Sequence, residues 1–424
     1  MDNLPANATM KDWANAAAAA VAKARHLHFV KSRAKKHGGE SFGTPAIRAK
    51  KPVEREPSYL FDAQAEKVAR DMVELAFANG LLKVPQFDVN YQKPEGGSTA
   101  KVVVKAMLGM EFFVKIDDNE KLAQEAENLR MIPNRNDLPD AFKACFPCVY
   151  AAQLSGPVYG YVMESFQGFI GFEKICFSGQ RSAVDMQRIA DRILDLLFAA
   201  YEKSYVSLIK PNIAELYIGR IKERLAILSR DSAFAMLMTA PLTINGHKYA
   251  TPYNYLREIS KKISRIEPSF TTFVHGDPNP ENILVKVTAS SIDVKFIDTK
   301  EWAFGDYLFD MGKLAHYLAV TGPVEISKYP LKLEVNAKRR TIQYQLTTIA
   351  PIERLINRVM ERIEKLANDV FKDTFWKQRF ALSMASNLLG LPAGRLAKNR
   401  RTSSVILYAE GLKWLKKVAS ELTD

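Results

Sequence analysis

The chain has 424 residues, 47% of them hydrophobic, and carries 60 Lys and Arg against 47 Asp and Glu, a net charge of +13. That length exceeds the usual limit for one hydrophobic core and the apolar content suffices for two packed lobes, while no uninterrupted apolar run approaches the length needed to cross a bilayer. Three cysteines exclude a disulfide scaffold and make a reducing cytoplasm the expected home.

Much of the charge lies at the start. Residues 1–56 hold eleven Lys or Arg and five Asp or Glu, contributing +6 of the +13. Met10 to about Lys36 combines an alanine run with good helix formers and carries Trp13, Val21 and Phe29, whereas Gly38 to Pro57 reads as a Gly, Pro and Lys rich linker. Such an arm can touch nucleic acid or an anionic surface, or serve as an organelle transit peptide, against which Asp2 and Asp12 argue. Its plainest reading is a solvated tail or a helix packed on the folded body.

From Phe61 the pattern becomes regular. Val68, Met72 and Leu75 recur at helical spacing between Asp62 and Asn79, with Gly80 as a stop. The apolar segments Phe87 to Tyr91 and Val102 to Val104 predict a hairpin, its tip being the small-residue stretch Pro94 to Ala100. Next come a β-rich run, Glu111 to Ile116, that includes Lys115, and a helical pattern, Leu122 to Leu129, that includes Glu125 and Glu127. Cys145 and Cys148 form a C-x-x-C, but with no second pair or nearby histidines they read as two half-buried thiols at a strand start. Tyr159 to Gly168 is a strand running into a polar, Gly-ended connection.

Helices are predicted over 184–201 and 213–228, then a hairpin turning at Asn245-Gly246, then a helix near 253–263. Further helices are expected over 306–320, 351–371, 374–389 and 403–422, with a hairpin from Leu331–Val335 and Thr341–Gln345 between the first two. No internal repeat is evident.

Residues 271–314 carry the chemistry. Asp277 lies on a Gly-containing turn after the apolar Phe273-Val274, so its carboxylate can project into a cleft as a base toward an alcohol. Five residues on, the Asn282 amide oxygen can ligate a hard cation without adding negative charge beside that base. Asp298 ends the strand-like run from Asp293 and supplies an anionic ligand from a second chain crossing. Asp306, beside a Gly and before a helix, reads as an N-cap, and His316 as a helix-face residue.

The ordered set His275-Gly276-Asp277, Asn282, Ile297-Asp298 and Gly305-Asp306 with Asp310 resembles the signature of the aminoglycoside phosphotransferase and choline kinase family, small-molecule relatives of protein kinases. The resemblance implies an α+β, bilobal, protein-kinase-like fold with a small antiparallel β lobe and a large, mostly helical lobe. Its expected divisions are the arm over 1–56, the ATP-clamping lobe over 57–163, and the large lobe over 164–424. By resemblance, Lys115 meets the α and β phosphates of ATP and pairs with Glu125, preferred to Glu127 because Leu129 follows it by four residues. Gly96, Gly97 and Ser98 form a phosphate loop, since Gly96, Ser98, Ala100 and Val102 fit a G-x-S-x-A-x-V pattern; small residues let the backbone approach phosphate closely. Glu164 to Phe166 form the hinge beside adenine, with Met163 near the base plane. His275 stabilises the catalytic loop, with Asp310 behind it accepting backbone or imidazole hydrogen bonds, and Asn282 and Asp298 hold Mg²⁺.

The expected activity is transfer of the γ-phosphate of ATP to a hydroxyl of a small molecule, such as a sugar, amino-alcohol or aminoglycoside-like acceptor. Protein kinases usually have Lys two residues after the catalytic Asp; Asn279 stands there, which favours the small-molecule branch. Thr299 follows Asp298 in place of the usual aromatic. The basic composition argues mildly against a polycationic acceptor. The alternative is a protein or RNA kinase that uses the basic arm for recruitment.

Overall fold

Five short β-rich segments build the small lobe: Asn90–Gln92 (β1), Lys101–Lys105 (β2), Glu111–Asp117 (β3), Val149–Gln153 (β4) and Tyr159–Glu164 (β5). They form one antiparallel sheet in the order β1-β2-β3-β5-β4. The computed structural model describes residues 90–92, 101–105, 111–156, 159–179, 181–207, 209–300, 305–326, 331–336 and 338–422, all within the unit Tyr59–Asp424. The basic arm, the helix expected over 62–79 and the loop with Gly96, Gly97 and Ser98 lie outside the described residues. Helix Lys121–Met131 (α1) enters between β3 and β4, burying Ala123, Ala126 and Leu129 and packing along β4 and β5.

The larger region is mostly helical. Ile170–Gly171 (β6) pairs with Ile283–Val287 (β9), which in turn pairs with Ile292–Phe296 (β10), so the strand that follows the 271–282 loop is the centre of a small three-stranded sheet. Helix Ala183–Lys203 (α2) is capped by Ser182, whose hydroxyl accepts the Asp185 N–H, and buries Ile189, Ile193 and Leu197 as one apolar stripe. Arg220–Leu228 (α3), Pro252–Lys262 (α4), Tyr307–His316 (α5), Ala350–Lys365 (α6), Trp376–Gly390 (α7) and Arg401–Glu421 (α8) complete the principal helices. The expected α+β architecture, a small antiparallel lobe and a larger helical one, is the one observed.

Three helices expected as continuous carry π-helical turns instead, at Ala214–Gly219, Tyr317–Thr321 and Leu366–Phe371. A π turn brings residues five apart into register, and His316 Nδ1 and Thr321 Oγ1 meet there at 3.0 Å. His316 lies on this uninterrupted helical stretch and is buried.

The two predicted hairpins, Leu242–Ile244 (β7) with His247–Tyr249 (β8) and Lys332–Asn336 (β11) with Thr341–Gln345 (β12), join into one sheet because β12 runs parallel to β7. Asn245 and Gly246 take φ of 47° and 82°, the positive values that an Asn-Gly hairpin turn demands. The Asn245 amide also exchanges two hydrogen bonds with the Tyr344 backbone, at 3.1 and 2.9 Å.

One buried cluster runs from Ala126 and Leu129 through Tyr161 and Leu197 to Phe273, Phe296 and Met311, joining the sheet lobe to the loop region. The other packs α3, α4, α7 and α8 around Leu225, Leu256, Leu382 and Leu412. Helix α5 lies close on α7 because residue 312 is glycine: a Cβ there would stand 2.1 Å from Ser383 Oγ. That approach sets the height of Asp310 and Lys313 on α5.

Candidate active site

The site is built on the loop from His275 to Asn282. Gly276 adopts φ +85°, which turns the chain after Val274 without a Cβ penalty. Asp310 holds the turn from below. Its carboxylate accepts the N–H groups of His275 at 2.7 Å and Gly276 at 2.8 Å, and the Tyr201 hydroxyl at 3.0 Å. The His275 ring lies in an aromatic bed, stacked on Phe146 at 5.9 Å and tilted against Phe296 at 5.6 Å. Its Nδ1 accepts the Asp277 N–H at 3.3 Å, so the imidazole serves the loop backbone and not the Asp310 carboxylate.

Asp277 is 4% exposed. Oδ1 accepts Asn279 Nδ2 at 2.8 Å and Lys313 Nζ at 2.9 Å, and Oδ2 accepts Lys300 Nζ. A carboxylate offers about four lone-pair positions, so these described contacts leave one on Oδ2 for an incoming hydroxyl. Burial alone would raise this carboxyl; the Lys313 and Lys300 ammonium groups outweigh it and hold the pKa well below the usual carboxylate range. Burial conversely pulls Lys313 down to about 8, against the opposing pull of Asp277.

A chain of direct contacts leads on from Asp277. Asn282 Nδ2 donates to the Asp277 carbonyl at 2.9 Å, and the Ile297 N–H donates to the Asn282 carbonyl at 3.0 Å. Asp298 follows, at φ +59°, a left-handed conformation uncommon for a residue with a side chain. Its carboxylate meets Lys115 Nζ, which also lies 2.6 Å from Glu125 Oε1. Burial opposes the Lys115 charge, but Tyr161, Asp298 and Glu125 around it raise its pKa well above the ordinary value. Lys115, Glu125, Asp277, Asn282 and Asp298 are thus brought together, with His275 and Asp310 beneath them. Glu127 is not part of the Lys115 contacts.

Asn282 and Asp298 fit a hard cation such as Mg²⁺. With its amide nitrogen committed to the Asp277 carbonyl, Asn282 presents its oxygen, and Asp298 adds a carboxylate. Among the described residues no three His, Cys, Asp or Glu side chains are grouped to hold a metal alone. Two oxygen donors, with phosphate oxygens and water completing the shell, suit Mg²⁺.

The residues expected at the hinge divide. The Glu164 N–H donates to the Cys148 carbonyl at 2.9 Å, pinning the end of β5. Met163 is a core residue. Phe166 is half-buried, with Lys295 Nζ 4.8 Å over its ring. Cys145 is buried, its thiol pushed up to about 11 by burial, whereas Cys148 is exposed, so the pair is not equally half-buried.

Sequence reasoning missed four residues. Tyr161 donates to Glu125 Oε1 at 2.7 Å; the β alternation carries it to the Lys115 side, since it pairs with Lys115 across the sheet. Lys300 and Lys313 left no local signal, because nothing in their spacing from Asp277 predicts convergence. Arg379 is buried and reaches Asp306 at 2.9 Å and Asp373. Asp306 caps α5 by accepting the Leu308 N–H and also accepts the Tyr217 hydroxyl at 2.9 Å.

No family profile matches the sequence, and no curated protein is similar to it at a significant level. Among solved structures, the chain is similar to APH(2'')-IIa in its ternary complex with streptomycin and ATP: TM-score 0.43, 11% identity, covering 84% of this chain and 98% of that one. It is also similar to the macrolide 2'-phosphotransferase MphH from Brachybacterium faecium as apoenzyme: TM-score 0.38, 10% identity, covering 82% and 97%.

Proposed function

We propose that this protein is an ATP-dependent phosphotransferase that moves the γ-phosphate to a hydroxyl of a small molecule. The observation that carries this reading is the continuous series of contacts from Glu125 through Lys115, Asp298 and Asn282 to Asp277. It combines a cation for phosphate, oxygen donors for a metal and a carboxylate for a hydroxyl on one surface.

In this reading Lys115, oriented by Glu125, binds the α and β phosphates. Asn282 and Asp298 would hold Mg²⁺, which would neutralise charge on the phosphate oxygens. Asp277 orients the acceptor hydroxyl and takes its proton as the oxygen attacks the γ-phosphorus in line. A base whose carboxyl is held so low takes that proton late, when the new O–P bond has already acidified the hydroxyl. Asp310 and His275 position the loop.

Incubating the purified protein with Mg-ATP and a cell extract, and searching by mass spectrometry for species that gain a phosphate, names the acceptor. Asp277→Asn should cut that turnover by roughly 10² to 10⁴ with ATP binding kept. Equal turnover in the variant would remove Asp277 as the base.

A further inference from the structure

We infer that Lys313 is a catalytic residue of the transfer step, its ammonium facing the phosphoryl group in flight. This rests on the phosphotransferase reading above and adds a residue that no motif marks.

Lys313 Nζ lies 2.9 Å from Asp277 Oδ1. An acceptor hydroxyl must come within about 2.6–3.2 Å of the same carboxylate, and the γ-phosphorus within about 3–3.5 Å of that hydroxyl oxygen. A cation bonded to the base therefore sits a few ångström from the phosphoryl oxygens.

Asp277 receives two ammonium groups, Lys313 and Lys300, leaving the carboxylate and its partners with an excess of one positive charge. Of the further charges near this group, Asp298 is engaged by Lys115 and Glu325 by Arg395 and Arg400, while Glu281, close to Asp277, and Arg220, close to Lys313, sum to zero. Lys313 is 5% exposed, so solvent does little to screen it. An anion arriving beside the base balances that excess, and the transferring phosphoryl group is that anion.

Lys300 has a side chain 63% exposed, so solvent screens its ammonium far more than that of Lys313. Lys313 is carried on α5, which Gly312 seats against Ser383 of α7, and its place is set before any substrate arrives. Asn279, two residues after the base, is neutral and itself bonded to Asp277 Oδ1; the helix supplies the cation that the loop does not.

In the step, the acceptor proton passes to Asp277, the acceptor oxygen forms a bond to the γ-phosphorus, and the bond from phosphorus to the β,γ-bridging oxygen breaks with its electron pair leaving on ADP. Lys313 keeps its protons and forms no covalent bond; it offsets the charge spread over the phosphoryl oxygens.

Calorimetry on the full chain with two probes tests this: Mg-ADP, and Mg-ADP with aluminium fluoride, which mimics the planar phosphoryl group. Lys313→Gln keeps a hydrogen bond to Asp277 and removes the charge. It should bind Mg-ADP within about threefold of wild type and lose about 10²-fold in affinity for the aluminium fluoride complex, while Lys313→Arg should recover most of that loss. Equal preference for the two probes in wild type and Lys313→Gln overturns the inference and makes the lysine a structural partner of Asp277. Absence of Mg-ADP binding in the wild type overturns the phosphotransferase reading itself, and this inference with it.

Discussion

Asp277 and Asp310 are both buried carboxylates, yet their pKa values move in opposite directions. Ammonium groups surround Asp277, whereas burial pushes Asp310 up to about 7 despite the N–H groups of His275 and Gly276 and the Tyr201 hydroxyl. Burial also takes the neighbouring His275 down to about 4. Between about pH 4 and 6.5 the unfolded chain protonates His275 and the folded one does not, so that stabilisation is lost as pH falls. Over about pH 4 to 7 folded Asp310 keeps a proton that the unfolded chain releases, so its stabilisation is lost as pH rises. The two slopes oppose each other. In Asp310→Asn the His275 slope is uncovered, and unfolding free energy from urea melts should fall relative to wild type by about 1.4 kcal/mol per pH unit between pH 6.5 and 4.5. Parallel pH profiles for the two proteins would remove Asp310 as a proton carrier in the folded state. At the metal, Asp298→Ala should abolish the gain in ATP affinity that Mg²⁺ provides, read by calorimetry with and without the ion; an unchanged gain would exclude Asp298 as a ligand.

At the level of elements, close packing of α5 on α7 decides where Asp310 and Lys313 stand. Gly312→Ala adds a methyl group 2.1 Å from Ser383 Oγ, an overlap that forces the helices apart and should cost about 1–3 kcal/mol in denaturant unfolding. Gly394, in the short helix Pro392–Ala397, has nothing within 4 Å of its Cβ position. There the same change should leave stability level or raise it by up to about 1 kcal/mol, since alanine is the better helix former. If both variants melt alike, helix contact is not what glycine 312 protects. The π turns belong to this scale too: hydrophobic spacing outlined the helical stretches they interrupt, but a shift from i+4 to i+5 bonding changes no apolar position enough to be read beforehand.

The whole chain places a body of helices and sheets after 56 residues that carry +6 of its +13 charge. If the acceptor is a small molecule, deleting residues 1–56 should leave its phosphorylation within about twofold. A macromolecular acceptor recruited by those cations would instead be phosphorylated more weakly, with a smaller salt dependence. Within the body, long-range ion pairs tie the parts: Lys115 to Asp298, Arg379 to Asp306, and Arg358 to Asp191 at 3.0 Å.

The amino-acid sequence by itself determined the local features. Asp277, Asn282 and Asp298 fall within one loop and one hairpin, so covalent spacing alone keeps them neighbours. The Asn-Gly turn, the helical stripes and the α+β division likewise depend on interactions between residues close in the chain. Tertiary structure decided which distant groups complete those features: the two lysines on Asp277, Tyr161 on Glu125, and the pairing of β12 with β7 that merges two hairpins into one sheet. Periodicity records which face of an element is buried, but not which other element buries it. That choice is made by helix packing and strand register, and with it the charge that surrounds Asp277.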